Sequence, residues 1–268
     1  MKSNRTGDLP HALNNINEIL AKLENKIPAL FLDYDGTLTP IVSDPEKAIL
    51  SEKNKKAIMN LAQVIPVAVI SGRDRANVAS KIGLNNLIYA GSHGYDITGP
   101  NGLDMQYGPG QETLPLLDEA EDLLKSKLES IKGAMVERKK YAIAVHYRNV
   151  ADDQVEEVKR IVYEELGRHE NLKEGLGKKI IELKPNLDWH KGKALDWILE
   201  KLGLHAEKYL PVFIGDDVTD EDALEVIKSH GIGIIVGNHD ETTYANYLLY
   251  DTDEVAEFLQ VLSQHISK

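Results

Sequence analysis

Short runs of consecutive apolar residues alternate along this chain with longer stretches whose apolar positions recur every three to four residues. Ala29–Asp33 (ALFLD), Pro66–Ile70 (PVAVI), Leu87–Ala90, Leu210–Ile214 and Ile232–Val236 are the short runs, and their compactness predicts strands buried on both faces. Helical spacing follows in Ser51–Gln63, where Ala57, Ile58 and Leu61 share a face, and in Asp74–Ile82. It returns in Lys191–Leu202, with Leu195, Ile198, Leu199 and Leu202 on one side, and again in Thr219–Ser229 and Val255–Ile266. Strands alternating with helices in this way predict an α/β fold with a doubly wound parallel sheet.

The middle of the chain breaks the alternation. Gly99-Pro100-Asn101-Gly102 and Gly108-Pro109-Gly110 are turn clusters. They are followed by a long acidic helix (Thr113–Ile131), strands at Ala134–Glu137 and Ala142–Tyr147, and a helix at Asp152–Leu166. A strand pair ending near Leu183 comes next, and Lys184-Pro185-Asn186 marks the return. The expected organisation is an N-terminal segment at 1–27, a discontinuous core at 28–106 and 185–268, and an inserted α+β cap at 107–184. A cleft between core and cap is where a ligand is expected.

Composition narrows the chemistry. The chain has 268 residues, enough to bury a core without staples, and no cysteine. Thiol nucleophiles, disulfide frameworks and thiolate metal sites are therefore excluded. Lys+Arg number 31 against 43 Asp+Glu, a net charge of −12, which argues against a nucleic-acid or anionic-membrane partner. The longest apolar run, Val64–Ile70, is seven residues and contains Pro66, far short of the ~20 that a membrane span needs. Met1–Lys26 has no continuous apolar core of a leader peptide. A soluble, cytoplasmic and monomeric protein is expected.

The strand ends carry the candidate chemistry. The first strand closes on Asp33-Tyr34-Asp35-Gly36-Thr37. Ligands bind at the carboxyl ends of parallel strands, and two carboxylates placed there repel each other unless a cation lies between them. Gly36 allows a sharp turn whose backbone N–H groups can meet an anion. An ordinary Asp-Gly turn is the alternative. Ser71-Gly72-Arg73 follows the second strand, and Asp216-Asp217-Val218-Thr219-Asp220-Glu221-Asp222 follows a later one. Thr219 or Asp220 could cap a helix, but capping does not account for the whole acidic cluster. Hard oxygen ligands from two separate strand ends describe a Mg²⁺ site. Lys191, at a helix start, supplies a cation or is a solvated surface lysine.

Asp33-Tyr34-Asp35-Gly36-Thr37-Leu38, Ser71, Lys191 and Gly215-Asp216-Asp217-x-x-Asp220 resemble the four motifs of the haloacid dehalogenase superfamily, and the insertion resembles its C2-type cap. LDYDGTLTPI, VISGR, AGSHGYDITGP, WHKGKAL and IGDDVTDEDAL are similar to trehalose-6-phosphate phosphatases, from Ala29 to Phe258. Leu224 departs from that pattern, where an aromatic is usual, with an effect on packing expected. The resemblance implies a Rossmann-like, haloacid dehalogenase-like core. It further implies Asp33 as nucleophile, Asp35 as general acid and base, and Ser71 and Lys191 as phosphoryl-binding groups. Mg²⁺ held by Asp33, the Asp35 carbonyl and Asp216 is implied as well, with Asp217 and Asp220 orienting ligands and Lys191.

The cap is expected to choose the substrate. Glu137 and Lys139, His146 and Arg148 are pairs spaced by two, and Lys178 and Glu182 are spaced by four, so each pair would share a face of a strand. Such a face suits sugar hydroxyls, or is a solvated sheet of cross-strand ion pairs. Arg73 and Gly36 join these as substrate-binding candidates. His93 is read as ordering its glycine-flanked loop and stands outside the candidate set. The expected activity is Mg²⁺-dependent hydrolysis of trehalose 6-phosphate. The alternatives are the same chemistry on sucrose 6-phosphate or a glucosylated phosphoglycerate, or a non-catalytic sugar-phosphate sensor.

Overall fold

The computed structural model describes residues 4–42, 44–177, 179–239 and 241–266. Contacts divide the chain into two units, one formed by the chain up to Met105 and from Trp189 onward, the other by Gln106–Asp188.

The first unit is built on an eight-stranded sheet. Its strands are β2 (Ile27–Leu32), β3 (Val67–Ile70), β4 (Ile88–Gly91), β5 (Asp96–Thr98), β6 (Asp104–Gln106), β11 (Tyr209–Gly215), β12 (Ile232–Val236) and β14 (Tyr247–Leu249). The spatial order is β14-β12-β11-β2-β3-β4-β5-β6, and the pairs from β14 through β4 are parallel. The chain steps outward from β2 to β3 and β4, then restarts at β11 on the other side of β2 and steps outward to β12 and β14. The turns after β2 and β11 therefore run in opposite directions, which opens a crevice at their carboxyl ends.

Each central strand is apolar on both sides because helices cover both. Leu30, Leu32, Val67, Val69, Val212 and Ile214 face one core with Ile58 and Leu61 of α2 (Glu52–Leu61) and Phe258 and Leu259 of α9 (Thr252–Ile266). The intervening Ala29, Phe31, Ala68, Ile70 and Phe213 face a second core with Leu195 and Ile198 of α7 (Lys191–Lys201) and Leu224 and Ile227 of α8 (Glu221–Ile227). This two-sided burial explains the unbroken apolar runs. Leu224 is fully buried there, a packing position as expected. α3 (Arg75–Ile82) adds Val78 and Ile82 to the first core.

The N-terminal segment is not set apart from the core over its described residues. β1 (Asn4–Arg5) pairs with β13 (Thr242–Thr243), and α1 (Ile16–Lys22) buries Ile19 completely against the first core. Leu9, Ala12 and Leu23 are buried too, so this apolar stripe is part of the first unit.

The second unit is a four-stranded antiparallel sheet, β7 (Met135–Lys139), β8 (Ala142–His146), β9 (Leu172–Gly177) and β10 (Ile180–Pro185), in the order β7-β8-β10-β9. α5 (Leu114–Leu128) and α6 (Val155–Leu166) pack Leu117, Leu124, Val158 and Val162 against Val136, Ile143, Val145, Ile181 and Leu183. The short α4 (Gly108–Gln111) precedes α5. The other sheet face carries Glu137 and Lys139 opposite Ala144 and Ala142, and Glu182 opposite Ala144 and Gly175. Among the described residues, no helix is long and apolar enough to cross a membrane.

Phe213 is fully buried and central to the second core. Phe213→Ala should lower unfolding free energy by about 3–5 kcal/mol, measured by urea denaturation; a loss under about 1 kcal/mol would show that the site collapses around the gap.

Candidate active site

Asp33 is the first residue past β2, and its N–H donates to the Ile214 carbonyl of β11 at 2.9 Å. The carboxylate thus stands at the crevice between the two strands. Lys191 is the first residue of α7, and its side chain is only 3% exposed, which removes the solvated-lysine reading. Its Nζ donates to Asp33 Oδ1 and to Asp220 Oδ1, each at 2.7 Å. Asp220 is fully buried, and its Oδ2 accepts from the backbone N–H groups of Asp216 and Asp217 at 3.0 and 3.2 Å. Although it precedes α8, the Asp220 side chain makes no helix-capping bond. Asp217 instead accepts from the N–H and hydroxyl of Thr219.

Gly36 has φ +86°, a conformation that suits glycine, and a Cβ there would fall on the Asp216 carboxylate. The turn after β2 and the turn after β11 meet at this point. Thr37, a buried residue that sequence reasoning did not single out, donates to Asp216 Oδ1 at 3.5 Å. Ser71 is buried just past β3, where its N–H donates to the Ala90 carbonyl and its Oγ accepts from the Arg73 N–H.

Two expected site residues sit differently. Arg73, a substrate-binding candidate, forks onto Asp35: Nε to Oδ2 and Nη2 to Oδ1, both at 2.6 Å. Its other donors reach Asn77 Oδ1 and the Pro45 carbonyl, and its guanidinium lies over the Tyr34 ring. The carboxylate of Asp35 matches that fork geometrically, so the arginine is occupied by the proposed acid–base residue. Arg148 does not share a strand face with His146, because β8 ends at His146 and Arg148 lies in the turn beyond.

One oxygen from each of Asp33, Asp216 and Asp220 lies within 4.8 Å of the others. Three carboxylates with Lys191 as the ammonium among them leave two negative charges uncompensated when all are ionised. The pKa directions register that deficit. Burial, reinforced by Asp220 and Asp216, holds the Asp33 carboxyl well above its usual range despite Lys191. Burial, with Asp220 and Asp217 adding to it, pushes Asp216 up to about 7. Burial works against the Lys191 charge too, but Asp220 and Asp33 outweigh it and keep the amine protonated. A hard-oxygen donor set short of positive charge fits a divalent cation. Both oxygens of Asp220 are already hydrogen-bonded, so it orients Lys191 and two backbone amides.

In the second unit, Lys139 Nζ donates to Glu182 at 2.5 Å and His146 Nε2 lies 2.7 Å from Glu137. Four of the expected sugar-facing residues therefore lie on one open sheet face above Ala142, Ala144 and Gly175. Lys178 lies outside the described residues.

Comparison with solved structures defines the class. A haloacid dehalogenase-like hydrolase from Bacteroides thetaiotaomicron, 21% identical, covers 88% of this chain and all of its own with a TM-score of 0.63, so the fold is haloacid dehalogenase-like. The C-terminal domain of Candida albicans trehalose-6-phosphate phosphatase is 25% identical, with a TM-score of 0.77 over 96% of this chain and 98% of that one. The sequence model of the trehalose-phosphatase family matches residues 31–255, and the chain belongs to that family. Probable trehalose-phosphate phosphatase G of Arabidopsis thaliana is 41% identical over 94% of this chain and 73% of its own length. Trehalose 6-phosphate phosphatase RA3 of Zea mays is 40% identical over 95% and 74%.

Asp216 is raised on folding, so its contribution to stability is present at acid pH and is lost as pH rises through about 7. A divalent cation that takes its carboxylate form should offset that loss. The rise in Tm on adding Mg²⁺ should therefore grow between about pH 5 and pH 8, and Asp216→Asn should flatten it. An equal Mg²⁺ shift at both ends of that range would contradict the assignment.

Proposed function

We propose that this chain hydrolyses trehalose 6-phosphate to trehalose and phosphate through an aspartyl-phosphate on Asp33. The observation that carries the reading is the buried Asp33–Lys191–Asp220 contact at a topological switch point, in a chain of the trehalose-phosphatase family. Asp33 attacks phosphorus along the open side of its carboxylate, and the leaving oxygen departs with a proton. Lys191 and Ser71 hold phosphoryl oxygens while that charge shifts. Asp35 gives the proton to the sugar oxygen and later takes one from the attacking water. Both of its carboxyl oxygens accept from the Arg73 fork.

Asp33, Asp216 and the Asp35 carbonyl would hold Mg²⁺, which supplies charge neutralisation between the approaching anions. The N–H of Gly36, a substrate-binding candidate, donates to the Thr39 carbonyl at 2.7 Å, so Gly36 serves the turn that lets Asp216 approach rather than the phosphoryl group. Asp217 and Asp220 keep Lys191 charged and oriented. Glu137, Lys139, His146 and Glu182 suit the hydroxyls of a disaccharide, exchanging their mutual ion pairs for sugar contacts, with Arg148 and Lys178 completing the proposed set. The absence of cysteine fits a reducing compartment such as the cytoplasm.

Phosphate release from trehalose 6-phosphate, sucrose 6-phosphate, glucose 6-phosphate and p-nitrophenyl phosphate tests the reading, with Mg²⁺ present. Trehalose 6-phosphate should lead clearly, and Asp33→Asn should abolish release from all four. Lys139→Ala should lower kcat/KM for the disaccharide phosphate by about ten- to hundredfold and change p-nitrophenyl phosphate far less. Preference for another sugar phosphate would overturn the substrate, and activity in Asp33→Asn would overturn the nucleophile.

A further inference from the structure

Arg73 is the buried half of its ion pair: its side chain is 10% exposed, against 41% for Asp35. Four hydrogen bonds fix the guanidinium. Nε and Nη2 donate to the two oxygens of Asp35 at 2.6 Å each, Nη2 also donates to the Pro45 carbonyl at 2.8 Å, and Nη1 donates to Asn77 Oδ1 at 3.1 Å. Asn77 lies in α3, and its amide donates in turn to Glu46 Oε1 at 3.3 Å. Lys81, one turn further along α3, donates to the Glu46 carbonyl at 2.9 Å. The guanidinium also lies 5.3 Å from the centre of the Tyr34 ring, and Tyr34 is fully buried with its hydroxyl on the Ala48 carbonyl. The arginine is thus held from the loop after β2, from the turn at 45–47 and from α3. An ion pair with one half-exposed partner adds little to folding stability, so this bracing calls for another reason.

The backbone of Arg73 is tied to the site as well. Its N–H donates to Ser71 Oγ at 3.1 Å, so that oxygen accepts from the protein while its O–H is the group that can donate. Its carbonyl accepts from the Ser92 N–H at 2.7 Å. One residue therefore fixes both the hydroxyl after β3 and the carboxylate after β2. These strands are parallel neighbours, with Leu32 opposite Val69, so both groups stand on the same rim of the sheet. The Nε–Nη2 edge with which an arginine forks a phosphoryl group is the edge already spent on Asp35.

We infer that Arg73 is a positioning residue for proton transfer: its fork holds the Asp35 carboxyl where it can meet the leaving oxygen, and it does not bind the phosphoryl group. The inference rests on the phosphatase reading but not on the identity of the sugar. In the step it serves, Asp33 forms a bond to phosphorus and the bond from phosphorus to the leaving oxygen breaks. The Asp35 proton passes to that oxygen, leaving Asp35 as a carboxylate on the arginine. A basic leaving oxygen needs the proton, whereas p-nitrophenolate departs almost without it. Misplacing Asp35 should therefore cost more as the leaving group becomes poorer. kcat/KM reads this step alone, because hydrolysis of the aspartyl-phosphate follows the departure of the first product.

Arg73→Lys keeps the charge but replaces the fork with a point ammonium. The measurement is kcat/KM, with Mg²⁺ present, for phenyl phosphate and p-nitrophenyl phosphate, which differ in leaving-group basicity and carry no sugar. It should fall about ten- to hundredfold for phenyl phosphate and about threefold or less for p-nitrophenyl phosphate. The inhibition constant for inorganic phosphate should keep its wild-type value. In an Asp35→Asn background, Arg73→Lys should lower neither rate further, because the group it positions is gone. Asn77→Ala, which loosens the guanidinium without removing it, should show the same bias against phenyl phosphate at about three- to tenfold. Equal losses on both substrates, weakened phosphate affinity, or an undiminished effect of Arg73→Lys in the Asp35→Asn background would overturn the inference. So would a wild-type ratio between the two substrates in both single variants. The phosphatase reading itself rests on phosphate release by the wild type and its loss in Asp33→Asn, so the two can fail separately.

Discussion

An ammonium at the first turn of a helix opposes the helix dipole, and burying it there is unfavourable unless carboxylates surround it. Lys191 is in that position and is held by Asp33 and Asp220 at 2.7 Å each. The three residues come from the end of β2, the start of α7 and the turn after β11. Their meeting fixes how those segments approach one another and leaves one oxygen of Asp33 outside the lysine contact. Asp220 completes the arrangement by accepting two backbone amides of its own turn, so neither of its oxygens is left over. Removing the amine would leave two buried like charges facing each other, a heavier loss than the removal of a surface pair.

The same cluster resolves a conflict in the composition. A chain with a net charge of −12 repels a phosphate monoester at long range. Locally, the only buried cation among the described residues of this cluster is Lys191, and burial, with the neighbouring carboxylates adding to it, holds Asp33 and Asp216 above their usual pKa. In the proposed reaction a divalent cation held by Asp33 and Asp216 would make up the local deficit of positive charge. Arg73 contributes differently, spending its charge on Asp35.

Much of this was legible in the residues. Apolar runs such as PVAVI and IGIIV gave strands because helices cover both faces of the sheet. Asp33, Ser71 and Asp216 stood out because each follows a parallel strand, and Lys191 because it opens a helix within a recurring motif. Less visible were β13 and β14, which are two and three residues long and too short to show periodicity. The N-terminal stripe was too sparse to announce that Ala12, Ile19 and Leu23 join the first core and Leu9 the second. The Arg73–Asp35 fork depends on side-chain reach between two loops and leaves no local sequence signal beyond the nearby glycines.

The central claim is that Asp33 is the covalent nucleophile. It is tested most directly by mixing the protein with trehalose 6-phosphate and Mg²⁺, quenching in acid within the first turnover, and sequencing the peptides by mass spectrometry. The account predicts a phosphoryl group on the side chain of Asp33. Turnover with no adduct at any early time, or an adduct on another residue, would contradict it.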